Sequence, residues 1–163
     1  MFEAETLSLA QSVLEACRAR GWHIATAESC TGGLVAGALT AIAGSSDVVE
    51  RGFVTYSNEA KSELLGVSFE ILADHGAVSA ETAAAMARGA IDRAPVDLAI
   101  SVTGIAGPGG ATRTKPVGLV LFGLARRDGS CRTERHVFPG DRSAVRHAAL
   151  AAALQLLQAE ARS

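Results

Sequence analysis

The stretch Val96–Thr103 constrains this chain most: it is an apolar run of strand length that empties into Gly104-Ile105-Ala106-Gly107-Pro108-Gly109-Gly110, the one strongly glycine-rich loop. A strand that is apolar on both faces belongs inside a sheet covered by helices on each side, and such sheets bind ligands at the loops that leave their strands. The rest of the chain supplies matching parts. Leu7, Leu9, Ala10, Val13, Leu14 and Cys17 recur near helical spacing and predict a helix over 5–19, stopped by Gly21. His23–Ala27 reads as a short strand, after which Thr31-Gly32-Gly33 opens an apolar helix over Leu34–Ile42, so Ser29 falls at a strand-to-helix turn. Gly44-Ser45-Ser46 breaks the chain. Val48–Tyr56 has the β-branched and aromatic residues of a strand, and Ser57 or Asn58 caps a helix over Glu59–Leu65 that carries Lys61 in its first turn.

Beyond Gly66 a short segment around Phe69–Ala73 leads to an alanine-rich helix that starts near Ser79 or Ala80 and runs to Ile91. Pro116–Ala125 and Cys131–Phe138 flank Asp128-Gly129, a hairpin signal, and are expected to pair antiparallel. A last helix covers 141–159. The order predicts one domain over 1–163 of the α/β class, a three-layer α/β/α arrangement with a mixed central sheet.

Apolar residues make up 48% of the 163 and charged residues 20%, a balance that argues against disorder. Net charge is −2, the arginines are scattered, and one Trp, one Tyr and five Phe do not interleave with them, so nucleic acid is not an expected partner. Cys17, Cys30 and Cys131 form no CxxC pair, and His23, His136 and His147 have no partner at ligand spacing, so no metal or other cofactor is expected. Free thiols suit a reducing cytoplasm. No apolar run approaches a membrane span and the first residues are acidic, which predicts neither insertion nor export. The alanine-rich helices are compatible with a symmetric homodimer.

Several segments occur in an order that resembles a known family. They are Ala27-Glu28-Ser29-Cys30-Thr31-Gly32-Gly33, Tyr56-Ser57-Asn58-Glu59-Ala60-Lys61, His75-Gly76-Ala77-Val78-Ser79, Thr103–Gly110, Lys115-Pro116-Val117-Gly118 and Phe138-Pro139-Gly140-Asp141-Arg142. Together they span nearly the whole chain and resemble the CinA C-terminal domain family. The resemblance implies an amidohydrolase that converts nicotinamide mononucleotide to nicotinic acid mononucleotide and ammonia for NAD recycling, without a metal, in a stand-alone form. It assigns Ser29, Tyr56 and Lys61 to the catalytic centre. The loop departs from the family pattern at Ala111, where glycine is common, and at Arg113-Thr114, where a Pro-Glu pair often stands.

Amide hydrolysis needs a nucleophile, a base that is neutral at working pH and donors for the oxyanion. Ser29 is the expected nucleophile, with Lys61 as base if burial lowers its pKa, and with Tyr56 hydrogen-bonded to Ser29 or passing a proton. The amides of Cys30, Thr31, Gly32 and Gly33 at the helix start are expected to hold an anion, either the oxyanion or the nucleotide phosphate. Thr103, Gly104, Ile105, Ala106 and Gly107 are expected to bind substrate, because glycines let backbone N–H groups approach a ligand closely. The loop lacks both the P-loop ending and GxGxxG spacing, which disfavours ATP hydrolysis. Arg113, Lys115 or Arg142 can complement a monophosphate.

Three other readings stand beside this one. Taken singly, Ser29 and Thr31 can be helix caps, Lys61 a solvated charge and Tyr56 a half-buried strand residue. Cys30 can be the nucleophile instead, with His75 as its base. A non-catalytic nucleotide-binding or interaction module linked to competence or DNA damage needs no active base at all.

Overall fold

The computed structural model describes residues 1–163 and gathers β1 (Ile24–Glu28), β2 (Val49–Val54), β3 (Leu98–Gly104), β4 (Leu119–Arg126) and β5 (Cys131–Val137) into one sheet. The strand order is β2-β1-β3-β4-β5, with β1 parallel to β2 and β3, and β4 antiparallel to β3 and β5. Helices α1 (Ala4–Ala19), α2 (Leu34–Thr40) and α6 (Arg142–Arg162) cover one face. The other carries α3 (Asn58–Leu65), α4 (Phe69–His75) and α5 (Ala80–Arg93). This is the three-layer mixed sheet that the sequence predicts.

Alternation along the strands divides the interior into two unequal cores. Leu98, Ile100 and Val102 point with Val120, Phe122 and Leu124 into a cluster of 25 buried residues under α1, α2 and α6. Ala25, Ala27 and Ala99 face the opposite way, into a cluster of 10 under α3, α4 and α5. That second face is built from small side chains, which lets α5 lie close to the sheet. Ser101 Oγ donates to Ala83 O at 2.5 Å, and a Cβ on Gly123 would stand 2.3 Å from that same oxygen.

Gly89 makes the matching approach between helices, since a Cβ there would lie 1.9 Å from Leu65 O at the end of α3. The contact is with backbone, so no side chain can swing aside. Gly89→Ala is therefore expected to cost about 3 kcal/mol and to lower Tm by roughly 10 °C, measured by thermal and urea denaturation. A variant melting with the wild type would show that α3 can drift from α5.

Three local outcomes differ from the sequence expectation. The segment after Gly66 is a helix, α4, capped by Ser68, whose side chain accepts from Ile71 N at 3.1 Å. Residues Ser45–Asp47 form a single 3₁₀ turn where only a chain break was expected. The strand expected to reach Tyr56 stops at Val54, because the carbonyls of Thr55 and Tyr56 turn out of the sheet toward the side chain of Lys61.

Candidate active site

β1 lies between β2 and β3. The connection from β1 to β2 runs through α2 on one face, and that from β2 to β3 runs through α3, α4 and α5 on the other. Loops leaving the carboxyl ends of these strands therefore diverge and open a crevice there. Ser29 is the first residue after β1, and its amide donates to Val102 O of β3 at 2.9 Å. The amide of Thr55, just past β2, donates to Glu28 O at 2.8 Å. Three strand ends are thus tied together around the serine.

Of the residues singled out from the sequence, Ser29, Cys30, Tyr56, Lys61, Thr103, Gly104, Ala106 and Arg142 line one cleft of about 220 Å³. Lys61 is buried, at 1% exposure, and its Nζ lies 3.1 Å from Ser29 Oγ, 2.9 Å from Thr55 O and 3.3 Å from Tyr56 O. Loss of hydration at that depth pushes the ammonium pKa below its ordinary value. No carboxylate is paired with it to restore the charge. The reading of Lys61 as a solvated helical charge is thereby excluded.

The amine has a geometry suited to accepting a proton. A neutral nitrogen that gives its two N–H bonds to the Thr55 and Tyr56 carbonyls has one tetrahedral position left, and Ser29 Oγ occupies it. The lone pair then faces the serine hydroxyl.

Glu28 changes the expectation for the start of α2. Its carboxylate is fully buried and accepts from Gly33 N at 3.1 Å, Val35 N at 3.1 Å and Ala36 N at 2.9 Å. Gly32 and Gly33 adopt φ +59 and +99, left-handed conformations that fold the chain back over that carboxylate. The amide of Gly32 donates to Ser29 O at 3.0 Å. Gly32 and Gly33 therefore have no N–H left for a substrate anion, contrary to expectation. The amides of Cys30 and Thr31 donate to no other atom of the chain and are the two donors left at the turn.

Tyr56 is placed differently from expectation. The residue is 61% exposed and its hydroxyl accepts from Arg142 Nη2 at 2.9 Å, without a hydrogen bond to Ser29. Arg142, the first residue of α6, also donates to Gly107 O at 3.0 Å, so it joins Tyr56 to the glycine-rich loop across the cleft mouth. Within that loop, Ile105 pairs with the start of β4, donating to Leu119 O and accepting from Gly118 N, both at 2.8 Å, and it does not line the cleft. Lys115 donates to His75 O at 2.7 Å and borders a different cavity beside α5, away from Ser29.

The thiol reading fails on burial and on its base. Cys30 is 6% exposed and burial pushes its thiol up to about 11, while His75 lies in the other cavity beside Glu81. Cys30→Ala is expected to keep catalytic turnover within about threefold, because its thiolate is inaccessible at neutral pH. Thiol alkylation of the native chain should likewise leave turnover intact. Inactivation by either would return Cys30 to the reaction.

Sequence reasoning missed two contributors, Glu28 and Arg146. The signal for Glu28 was an acid at the end of a buried strand, a position that demands partners. Arg146 lies four residues after Arg142 and so on the same helix face, where it donates to Cys30 O at 3.1 Å and to Thr31 O at 3.0 Å. No three His, Cys, Asp or Glu side chains converge in a way that could hold a metal ion, and no helix is long and apolar enough to cross a membrane.

Ser29 and the buried Lys61 amine thus stand together at the carboxyl ends of the parallel strands β1 and β2, and comparisons with known proteins narrow the class of the chain. The model of the CinA C-terminal domain matches residues 6–161. The nicotinamide-nucleotide amidohydrolase PncC of Escherichia coli K12 is 53% identical over 157 residues, which are 96% of this chain and 95% of that protein. A CinA-like protein of Geobacter sp. is 56% identical over 141 residues, 86% of this chain but 34% of its own longer length. The crystal structure of the competence/damage inducible protein CihA from Agrobacterium tumefaciens superposes with a TM-score of 0.94 at 47% identity, covering 98% of this chain and 97% of that one. Identity of this order over nearly both whole lengths makes the protein an amidohydrolase. It belongs to the CinA C-terminal domain family.

Proposed function

We propose that this chain hydrolyses the carboxamide of nicotinamide mononucleotide, releasing ammonia and nicotinic acid mononucleotide, with Ser29 as nucleophile and Lys61 as base. The observation that carries this reading is a buried amine without an acidic partner, 3.1 Å from a serine hydroxyl. The identity to a named nicotinamide-nucleotide amidohydrolase supports the substrate.

In this mechanism neutral Lys61 takes the Ser29 proton as Oγ attacks the carboxamide carbon, and the amides of Cys30 and Thr31 donate to the oxygen that becomes negative. The lysine, now an ammonium, returns that proton to the departing nitrogen, which leaves as ammonia. The resulting serine ester is cleaved by water, with Lys61 taking the water proton and then returning it to Ser29 Oγ as the acyl–oxygen bond breaks, and the free carboxylate departs. Arg142 is the cation nearest the mouth. Beyond it a second hollow, bordered by Ala106, Pro108, Val117, Gly140, Asp141 and Ser143, gives the ribose and phosphate room outside the dry part of the cleft. Tyr56 then shapes the mouth through Arg142. Three free thiols, Cys17, Cys30 and Cys131, accord with a cytoplasmic setting.

Incubating the purified chain with nicotinamide mononucleotide, free nicotinamide and the riboside separates the possibilities by ammonia release. Fast release from the nucleotide alone is the expected result. A nucleotide that raises Tm but is never turned over would make this a binding module instead.

A further inference from the structure

Arg146, in the second turn of α6, reaches the turn that carries Ser29 and grips two consecutive backbone carbonyls with one edge of its guanidinium. Nε donates to Cys30 O at 3.1 Å and Nη2 to Thr31 O at 3.0 Å. A planar fork can hold two acceptors in this way, whereas a lysine ammonium offers a point charge. The peptide unit between Cys30 and Thr31 is trans, so its oxygen and its N–H point in opposite directions. With the oxygen fixed on the arginine, the Thr31 N–H is fixed on the far side. Thr31 is fully buried, yet its amide donates to nothing in the chain. Buried amides are nearly always paired, and one that is held rigidly without an acceptor is suited to an oxygen that arrives during a reaction.

We propose that Arg146 is a positioning residue, which fixes and polarises the Cys30–Thr31 peptide unit so that the Thr31 amide, beside that of Cys30, holds the oxyanion formed on the carboxamide. Arg146 does not touch substrate. It acts through the carbonyl, where a cationic donor strengthens the N–H at the other end of the same unit. The inference rests on the serine mechanism above. It adds a prediction that a docking role alone would not make, because a fixed oxyanion donor matters in the transition state and little in the bound substrate.

The test compares the full-length wild type with Arg146→Ala and Arg146→Lys, using nicotinamide mononucleotide and following ammonia release, Tm and the amide proton shift of Thr31. For Arg146→Ala, kcat is expected to fall about 30-fold while KM moves less than about twofold, as for loss of an interaction made only in the transition state. Guanidinium ion at low millimolar concentration is expected to restore part of kcat in that variant and to leave wild type unchanged. Arg146→Lys keeps the charge but loses the fork, and is expected to resemble the alanine variant. It decides the matter if the alanine variant does not fold.

A kcat that stays at the wild-type value, a loss confined to KM, or a folded variant deaf to guanidinium overturns the proposal. If wild type itself releases no ammonia, the functional reading has failed. The oxyanion role falls with it, whereas an active wild type with an unmoved Thr31 shift in the variants overturns the positioning role alone.

Discussion

Lys61→Met is expected to reduce kcat for ammonia release by about 10³-fold or more, the scale on which a positioned general base contributes. Methionine has similar length and no charge, so the variant should fold, and circular dichroism checks that. In the wild type, kcat/KM is expected to rise with pH through the lowered pKa of Lys61 and then level off, since only the neutral amine accepts the proton. Stability carries the same signature. A base whose folded pKa is depressed imposes its full penalty below that folded value and sheds it as pH climbs toward the ordinary lysine range, so unfolding free energy should increase across that window. Lys61→Met should lose this upward slope. A methionine variant that still turns over with the wild-type pH profile would remove Lys61 from the chemistry.

Ser29→Ala is expected to abolish turnover by on the order of 10⁴-fold while leaving nucleotide binding intact. Thermal shift with nicotinamide mononucleotide separates those effects, because bound ligand raises Tm whether or not it reacts. Wild type given substrate and quenched early should carry an acyl group on Ser29 detectable by mass, and the variant should carry none. Persistent ammonia release from the alanine variant would point to direct attack by water, with Lys61 as its base.

The layered mixed sheet and the placing of Ser29 with Lys61 were legible for different reasons. Leu98, Ile100 and Val102 alternate with Ala99 and Ser101, so the two cores can be read from side-chain size along one strand. Ser29 and Lys61 stand in long motifs at the ends of predicted elements, where catalytic groups gather. Glu28 and Arg146 escaped notice because their partners are backbone atoms, which every sequence possesses and no residue type reveals. Tyr56 was misplaced for a related reason: the early end of β2 turns its carbonyl inward and its ring outward, an outcome set by the Lys61 amine rather than by strand propensity. Ile105 sits in the right loop but is drawn to β4 by its own peptide groups.

The buried carboxylate of Glu28 has one more consequence. By answering the partial positive charge of the α2 terminus, it takes away the local field that would otherwise have helped discharge a neighbouring ammonium. Burial alone is left to hold the Lys61 pKa down. Substitutions that merely let a few solvent molecules seep beneath Tyr56 should therefore silence the protein while every reacting atom keeps its place, a failure that crystallography would overlook and a titration curve would expose.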